Sequence, residues 1–419
     1  MKLSRSLLGL CGLLALVACP RADRSTGTDT GALPDTSAPD SADTADSADS
    51  ADSGDTGETG VLPPECDAST LTAYAPVPVA TFQIAPSSTA RDGETIDDTL
   101  QGTYKEHYIQ RRDDGGPDRE ELFLWLGGSG SEPQNYDYIL NMAAFAGYTA
   151  VSLAYDNETS VGDTCGHDDV PECSSANVDC EEQVREEMIY GVDTSPCLVV
   201  TPENSIEHRV LRLLQYGVEK VPTAGFDRYL DATKQQVDWT HIAVGGWSQG
   251  GGHASMLARD HVVARALFVS KGAGSVACTD VMAETDCDLD GDGGLTRDNL
   301  DEYVVPAPWA YDERLTPPSH EFGSIHMEED AWYYSDETFA AFGMYGAQTP
   351  FLIDDVGPYP EAYADAYGCT HVFATDATPS CGDNDFHKSM ASDFCMALDD
   401  DGVPLLAPAY VYALTVPVE

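Results

Sequence analysis

Continuous apolar runs recur along the chain and predict strands. "ELFLWL", "TAVSLAY", "THIAVGG" and "ARALFVS" are apolar at successive rather than alternate positions. Such runs are typical of strands that are covered on both faces, as in parallel sheets. Upstream, residues 79–85 and 106–112 predict two more strands, which we expect to pair antiparallel at one edge of the sheet before the chain turns into "ELFLWL".

The stretches between these runs have the spacing of helices. "EPQNYDYILNMAAFAG" predicts a helix that ends at Gly147, and "TPENSIEHRVLRLLQYGVEKV" predicts a longer one, capped by Thr201 with Pro202 in its first turn. The second stretch places its apolar residues on one face. Strands that alternate with helices predict an α/β fold: a mostly parallel central sheet with helices on both faces.

The first 64 residues differ from this pattern. Lys2 and Arg5 precede a short apolar run, which predicts an export signal over residues 1–18. The run ends in Leu-Val-Ala-Cys19, which resembles the lipobox of bacterial lipoproteins and implies cleavage before Cys19 and acylation of its thiol; a plain secreted protein is the alternative. Residues 19–64, rich in Ser, Thr, Asp and Ala, predict a disordered acidic linker, or else a mucin-like stalk. The globular domain is then residues 65–419.

The charge and the cysteine content are also typical of an exported protein. The formal net charge is −51, and only eleven acids and four bases lie up to Glu65, so the domain itself is acidic. We therefore expect no binding to nucleic acid, and contact with a membrane only through the lipid anchor. Setting aside Cys11 and Cys19, ten of the twelve cysteines remain, an even number that predicts disulfides. Cys278 with Cys287, and Cys369 with Cys381, are close enough in sequence to be local pairs.

A glycine-rich segment, "GGWSQGGGH" at residues 245–253, contains the candidate nucleophile Ser248. Its GxSxG pattern follows a predicted buried strand and precedes a predicted helix. In that context the serine sits on a sharp turn that only glycine neighbours permit, next to the N–H groups of the helix N-terminus. The alternative is a glycine-rich turn with an incidental serine.

Acyl transfer also needs donors for an oxyanion. "ELFLWL" runs into a second glycine-rich loop, which we expect to supply a backbone N–H from Gly128, Ser129 or Gly130. The backbone N–H of Gln249 is expected to supply the other. The loop lacks the pattern of a phosphate-binding loop.

A serine nucleophile needs a histidine base and an acid that follow it in the chain. His387, in a loop after the last strong predicted strand, is the candidate base, whereas His253 and His371 are expected to be packed structural residues. Asp330, four residues after His326, is the candidate acid. Glu328 and Glu329 remain alternatives.

From about residue 70 to its end, the chain resembles the α/β-hydrolase superfamily. Within it, "VGGWSQGGGHASMLARDHVVARALFVS", "NSIEHRVLRLLQY" and "APWAYDERLTPPSHEFGSIHMEED" are similar to a sparsely characterised bacterial family of exported hydrolase-fold proteins. Trp247 stands where many relatives carry His, which changes the wall beside the nucleophile. The resemblance implies a serine hydrolase and supplies no substrate.

Two segments of the globular domain are predicted to be insertions in the fold. Residues 157–200 contain four cysteines and many acids, and predict a disulfide-stapled cap or rim that favours neutral or cationic substrates. Residues 284–300 resemble an EF-hand calcium loop, although its twelfth position is Asn299 rather than Glu. An acidic loop without metal is the alternative. The candidate calcium ligands are Asp288, Asp290, Asp292, Gly294 and Thr296.

Together these patterns predict a monomeric serine hydrolase (esterase- or lipase-like, a peptidase not being excluded) that is lipid-anchored in the cell envelope of a bacterium. It would cleave a carboxyl ester or related acyl bond in a small molecule or polymer. No cofactor is expected for catalysis, apart from structural calcium. The second hypothesis is a catalytically silent hydrolase fold that serves as a surface binding module.

Overall fold

A computed structural model describes residues 72–100, 102–167, 169–281, 304–329, 332–347, 350–355, 369–382 and 385–418. All of them belong to the larger of two compact units, residues 61–419. The predicted signal, Cys19, the linker and the calcium-like loop lie outside the described residues.

The strands are β1 Val79–Ile84, β2 Thr99–Leu100, β3 Thr103–Tyr104, β4 His107–Arg112, β5 Leu122–Leu126, β6 Thr149–Ser152, β7 Ile242–Trp247, β8 Arg265–Val269, β9 Ser275–Ala277, β10 Val304–Pro306, β11 Glu321–His326, β12 Phe351–Leu352 and β13 Val372–Thr375. The helices are α1 Asp137–Phe145, α2 Val161–Thr164, α3 Cys180–Tyr190, α4 Ile206–Lys220, α5 Gln249–Asp260, α6 Cys278–Val281, α7 Trp332–Ala341, α8 Phe386–Ser389 and α9 Ala407–Thr415.

Nine of these strands form one sheet, in the order β1-β4-β6-β5-β7-β8-β11-β13-β12. The pairs β1/β4 and β4/β6 are antiparallel, and the remaining neighbours are parallel. The prediction of a mostly parallel sheet with an antiparallel edge is therefore confirmed.

Strand β5 shows why its apolar run is continuous. Leu124 and Leu126 belong to the core cluster that contains residues of α4 and α5. Phe123 and Trp125 belong to a second cluster, with residues of α1 and α9 on the opposite face of the sheet. Both faces are covered, so every position of the strand is buried.

Helix α4 begins later than its sequence predicts. Pro202–Asn204 forms a separate 3-10 turn, and the α-helix starts at Ile206. Its cap is Ser205, whose hydroxyl oxygen accepts a hydrogen bond from the His208 N–H at 3.3 Å. The expected cap at Thr201 was therefore wrong, because Ser205 satisfies the free N–H groups one turn further on.

Candidate active site

The turn between β7 and α5 has the backbone of a strained elbow. Ser248 has φ 57° and ψ −123°, a conformation that residues other than glycine seldom adopt. A Cβ at Gly246 would lie 2.2 Å from the Gly250 oxygen, and one at Gly250 would lie 2.0 Å from the Leu126 oxygen. Glycine at these two positions is what allows α5 to pack tightly against the sheet and the serine to sit on the turn.

The loop after β5 lies against this serine. A Cβ at Gly128 would lie 3.1 Å from the Ser248 Cβ. The Gly128 N–H donates to the Tyr136 hydroxyl at 3.0 Å, and the Gly130 N–H donates to the Asn157 carbonyl at 2.6 Å. Two of the three expected loop donors are thus already engaged. Within the described residues the backbone N–H of Ser129 has no such acceptor.

A buried polar network holds that loop. The Asn157 side-chain amide donates to the Gly128 carbonyl at 2.6 Å, and the Lys105 ammonium donates to the Ser131 carbonyl at 3.0 Å. Lys105 also pairs with Glu158 at 2.6 Å, with its own side chain almost fully buried. Sequence reasoning missed Lys105 and Asn157, because nothing in the chain pattern links them to residues 128–131.

The candidate base, His387, lies on α8 and has a carboxylate partner. Its Nδ1 is 2.9 Å from Glu329 Oε2. Glu329 is buried, and its other oxygen accepts a hydrogen bond from the Ser270 hydroxyl at 2.6 Å. Ser270 also has a positive φ, 59°. The carboxylate is therefore held on both sides, with one oxygen on the imidazole.

The other two candidate acids are placed differently. The Glu328 backbone N–H donates to His326 Nδ1 at 3.1 Å, which locates its main chain but gives no contact to His387. Asp330, the acid expected from spacing, lies outside the described residues. Among the described residues, Glu329 is the carboxylate within hydrogen-bonding distance of the His387 ring.

Trp247 also contacts the candidate base. Its indole N–H donates to the His387 carbonyl at 2.9 Å, and the two rings lie 4.9 Å apart with 39° between their planes. Because Trp247 directly precedes Ser248, this contact places α8 next to the turn that carries Ser248.

The Cys-rich insertion packs against the same elbow. Disulfides join Cys165 to Cys180 and Cys173 to Cys197, so its four cysteines pair among themselves as expected. From α3, the buried Arg185 donates to the Gln249 carbonyl at 3.0 Å. The insertion therefore supports the first turn of α5 from the side.

One local pairing was wrong. Cys381 is bonded to Cys395, whose Cα lies 4.5 Å away, and not to Cys369. The chain between them contains α8, so this disulfide closes the segment that carries His387. Cys278 and Cys369 each take part in a disulfide. Cys287, the predicted partner of Cys278, lies outside the described residues, so that pairing stays a prediction.

His253 and His371 are buried, as predicted. His371 Nδ1 lies 2.8 Å from the Glu321 carbonyl oxygen, and its ring stacks on Phe322. His253 packs edge-on against Tyr155, and neither of its ring nitrogens has a hydrogen-bond partner among the described residues. Burial, with a smaller contribution from Arg185, lowers the pKa of His253 well below its ordinary value.

This burial predicts sensitivity to acid. The folded chain keeps His253 neutral, while the unfolded chain takes up a proton on this residue below about pH 6.5. The contribution of His253 to the free energy of unfolding is therefore fully present above that pH and is lost as the pH falls. His253→Leu should reduce the loss in unfolding free energy between pH 7.5 and pH 5 by about 2 kcal/mol. Denaturant titrations at both pH values measure it, with exposed His241→Leu as the control. An unchanged pH dependence in His253→Leu would contradict this account.

No three His, Cys, Asp or Glu side chains of the described residues converge on a possible metal position. None of the described helices has the length and apolarity needed to cross a lipid bilayer.

Strand order, elbow and histidine-bearing loop together decide the architecture. The chain has the α/β-hydrolase fold. No protein-family model matches it, and no curated protein does. Among solved structures, it is similar to a tryptophan-to-histidine mutant of the esterase rPPE, with TM-score 0.33 and 12% identity over 83% of this chain and 85% of that one. It is also similar to an esterase of Pyrobaculum calidifontis, with TM-score 0.30 and 14% identity over 64% of this chain and 74% of that one. The assignment of the fold rests on this chain's own strand order and elbow.

Proposed function

We propose that the chain is an exported serine hydrolase that cleaves a carboxyl ester or related acyl bond, with Ser248 as nucleophile, His387 as base and Glu329 as acid. The observation that carries the proposal is the 2.9 Å contact of Glu329 with His387 Nδ1, in a chain whose elbow holds Ser248 in a strained turn. Glu329 takes the role that spacing had given to Asp330.

The proposed reaction follows from these positions. Glu329 accepts a hydrogen bond from the Nδ1–H of His387 and so holds the tautomer whose Nε2 is free to accept a proton. His387 takes the hydroxyl proton as Ser248 attacks the carbonyl carbon, and returns it to the leaving alcohol. Water then cleaves the acyl-enzyme by the same route.

Charge on the tetrahedral intermediate needs donors that are free before the reaction. We assign this role to the backbone N–H groups of Gln249 and Ser129, since those of Gly128 and Gly130 are engaged within the protein. The Ser129 hydroxyl, which donates to the Gln249 side chain at 2.7 Å, ties the two donor segments together.

Covalent labelling tests the proposal. A fluorophosphonate probe should label the wild-type chain, and Ser248→Ala should remain unlabelled with an unchanged melting temperature. A well-folded wild-type chain that resists the probe would favour the silent surface-binding module.

Export and anchoring at Cys19 remain part of the proposal, and the disulfides support an oxidising compartment. The acids of the insertion support a neutral or cationic substrate.

Calcium at residues 288–296 is likewise proposed, since clustered carboxylates repel one another unless a cation neutralises them. Added calcium should raise the melting temperature of the wild-type chain, and Asp290→Asn with Asp292→Asn should remove that rise while leaving fluorophosphonate labelling intact. A melting temperature that responds to neither calcium nor chelator would contradict the metal site.

A further inference from the structure

Two basic side chains differ from the others in this acidic chain. Most described arginines and lysines pair with carboxylates or backbone carbonyls, as Arg212 does with Glu94. Neither Arg111 nor Lys220 has an ion pair or a side-chain hydrogen bond with another described residue. The Lys220 ammonium lies 5.6 Å from the ring centroid of Tyr216. With a net charge of −51, acids are abundant, so two uncompensated cations need an explanation.

Both cations line one cavity. It has a volume of about 670 Å³ and lies between the antiparallel edge of the sheet, β1 and β4, and helix α4. None of its sixteen lining residues is acidic, and a third base, Arg112, is already paired with Asp114. Volume and lining are those of a small-molecule site: mostly apolar, with a few convergent polar groups.

Apolar side chains form the rest of the cavity. Ile109 and Leu213 are buried in its wall, while Phe82 and Val221 are 51% and 48% exposed at the surface. Covering these two side chains would remove apolar area from water, at about 25 cal/mol per Å². The cavity thus combines an uncovered apolar surface with unpaired positive charge.

This cavity is separate from the catalytic site. Thr149, which lines it, is the first residue of β6, and Ser248 follows the last residue of β7. Both strands run parallel to β5. The start of β6 and the end of β7 therefore lie at opposite ends of the strands of the sheet.

We propose that this cavity binds a free medium-chain alkyl carboxylate. The alkyl chain would cover the apolar wall, and the carboxylate would pair with Arg111 and Lys220; a guanidinium donates to a carboxylate through two parallel hydrogen bonds. A free molecule fits better than an anionic bilayer, because the strongly negative chain repels an extended negative surface. The proposal does not depend on the hydrolysis proposed above.

Calorimetric titration of the full mature chain carrying Ser248→Ala tests this, with decanoate as the probe and 1-decanol as its neutral counterpart. Arg111→Gln with Lys220→Gln should weaken decanoate binding at least tenfold and leave 1-decanol binding unchanged. The matched control, Arg228→Gln with Lys234→Gln, removes the same charge from exposed bases that pair with acids, and should change neither. Melting temperatures report folding. Arg111→Lys, which keeps the positive charge but loses the two parallel donors, should weaken decanoate binding less than Arg111→Gln does.

Cross-linking locates the ligand. A diazirine-bearing decanoate should label peptides of β1 and α4. Labelling of peptides that contain Ser129 or His387 would overturn the proposal, because decanoate would then occupy the catalytic site. Equal decanoate affinity in the double variant and its control would also overturn it. The proposal would also be overturned if the chain bound anionic phospholipid vesicles but did not bind decanoate. It would be overturned as well if the chain bound no decanoate but formed a dimer that Phe82→Glu abolishes.

Discussion

Ser248→Ala and His387→Ala should each lower ester turnover by a factor on the order of 10⁴ or more, because nucleophile and base act as a unit in one proton transfer. Both side chains are only partly buried, so we expect the melting temperature to change little. Hydrolysis of a short-chain nitrophenyl ester, followed at saturating substrate, measures kcat for each variant.

The combined variant is the sharper test of that interpretation. Ser248→Ala with His387→Ala should be no slower than either single variant, since removing one member already disables the other. Exposed Ser87→Ala and His241→Ala serve as matched controls and should retain full activity. Near-normal turnover in His387→Ala would assign the base to another residue.

The fold was predictable because its signals are local. A strand that is covered on both faces is apolar at every position, so continuous apolar runs predicted β5, β7 and β8. Two neighbouring strand-like segments predicted the pairing of β1 with β4. Ser248 was visible for the same reason: strand, sharp turn and helix are consecutive in the chain, and the glycines that allow the turn stand beside the serine.

What was missed depends on contacts between distant segments. The start of α4 depends on which of two hydroxyl residues, Thr201 or Ser205, accepts hydrogen bonds from the first helical N–H groups. Both residues fit the preference for Ser and Thr at a helix N-cap. Cys381 could reach Cys369 or Cys395 by sequence separation alone, and the structure pairs it with Cys395.

Three adjacent acids illustrate the same limit at the candidate active site. Glu328, Glu329 and Asp330 share one composition and one neighbourhood, so spacing alone could rank them only by analogy with a family pattern. The features that favour Glu329 in our proposal are its contact with His387 and the Ser270 hydroxyl, which donates to its other carboxylate oxygen. Neither has a signal in the sequence around residue 329.

Glu329→Gln should therefore lower kcat by about 10³ to 10⁴ while the chain stays folded. The amide keeps the shape of the side chain and can still accept from Ser270. Toward His387, however, its NH₂ group can donate to Nδ1, which stabilises the tautomer with its proton on Nε2. That tautomer cannot take the proton of Ser248. The rate of fluorophosphonate labelling, which needs the same proton transfer, should fall together with kcat.

The neighbouring acids are the controls that make this prediction decisive. Glu328→Gln and Asp330→Asn remove the same charge from the same loop, so a general electrostatic effect would appear in all three variants alike, whereas loss of the tautomer would appear in Glu329→Gln alone. Ser270→Ala should give an intermediate loss, because it frees one oxygen of Glu329 and leaves the oxygen on His387 in place. Measured kcat values in which Asp330→Asn is the damaged variant and Glu329→Gln is near normal would return the acid to the position that spacing predicted.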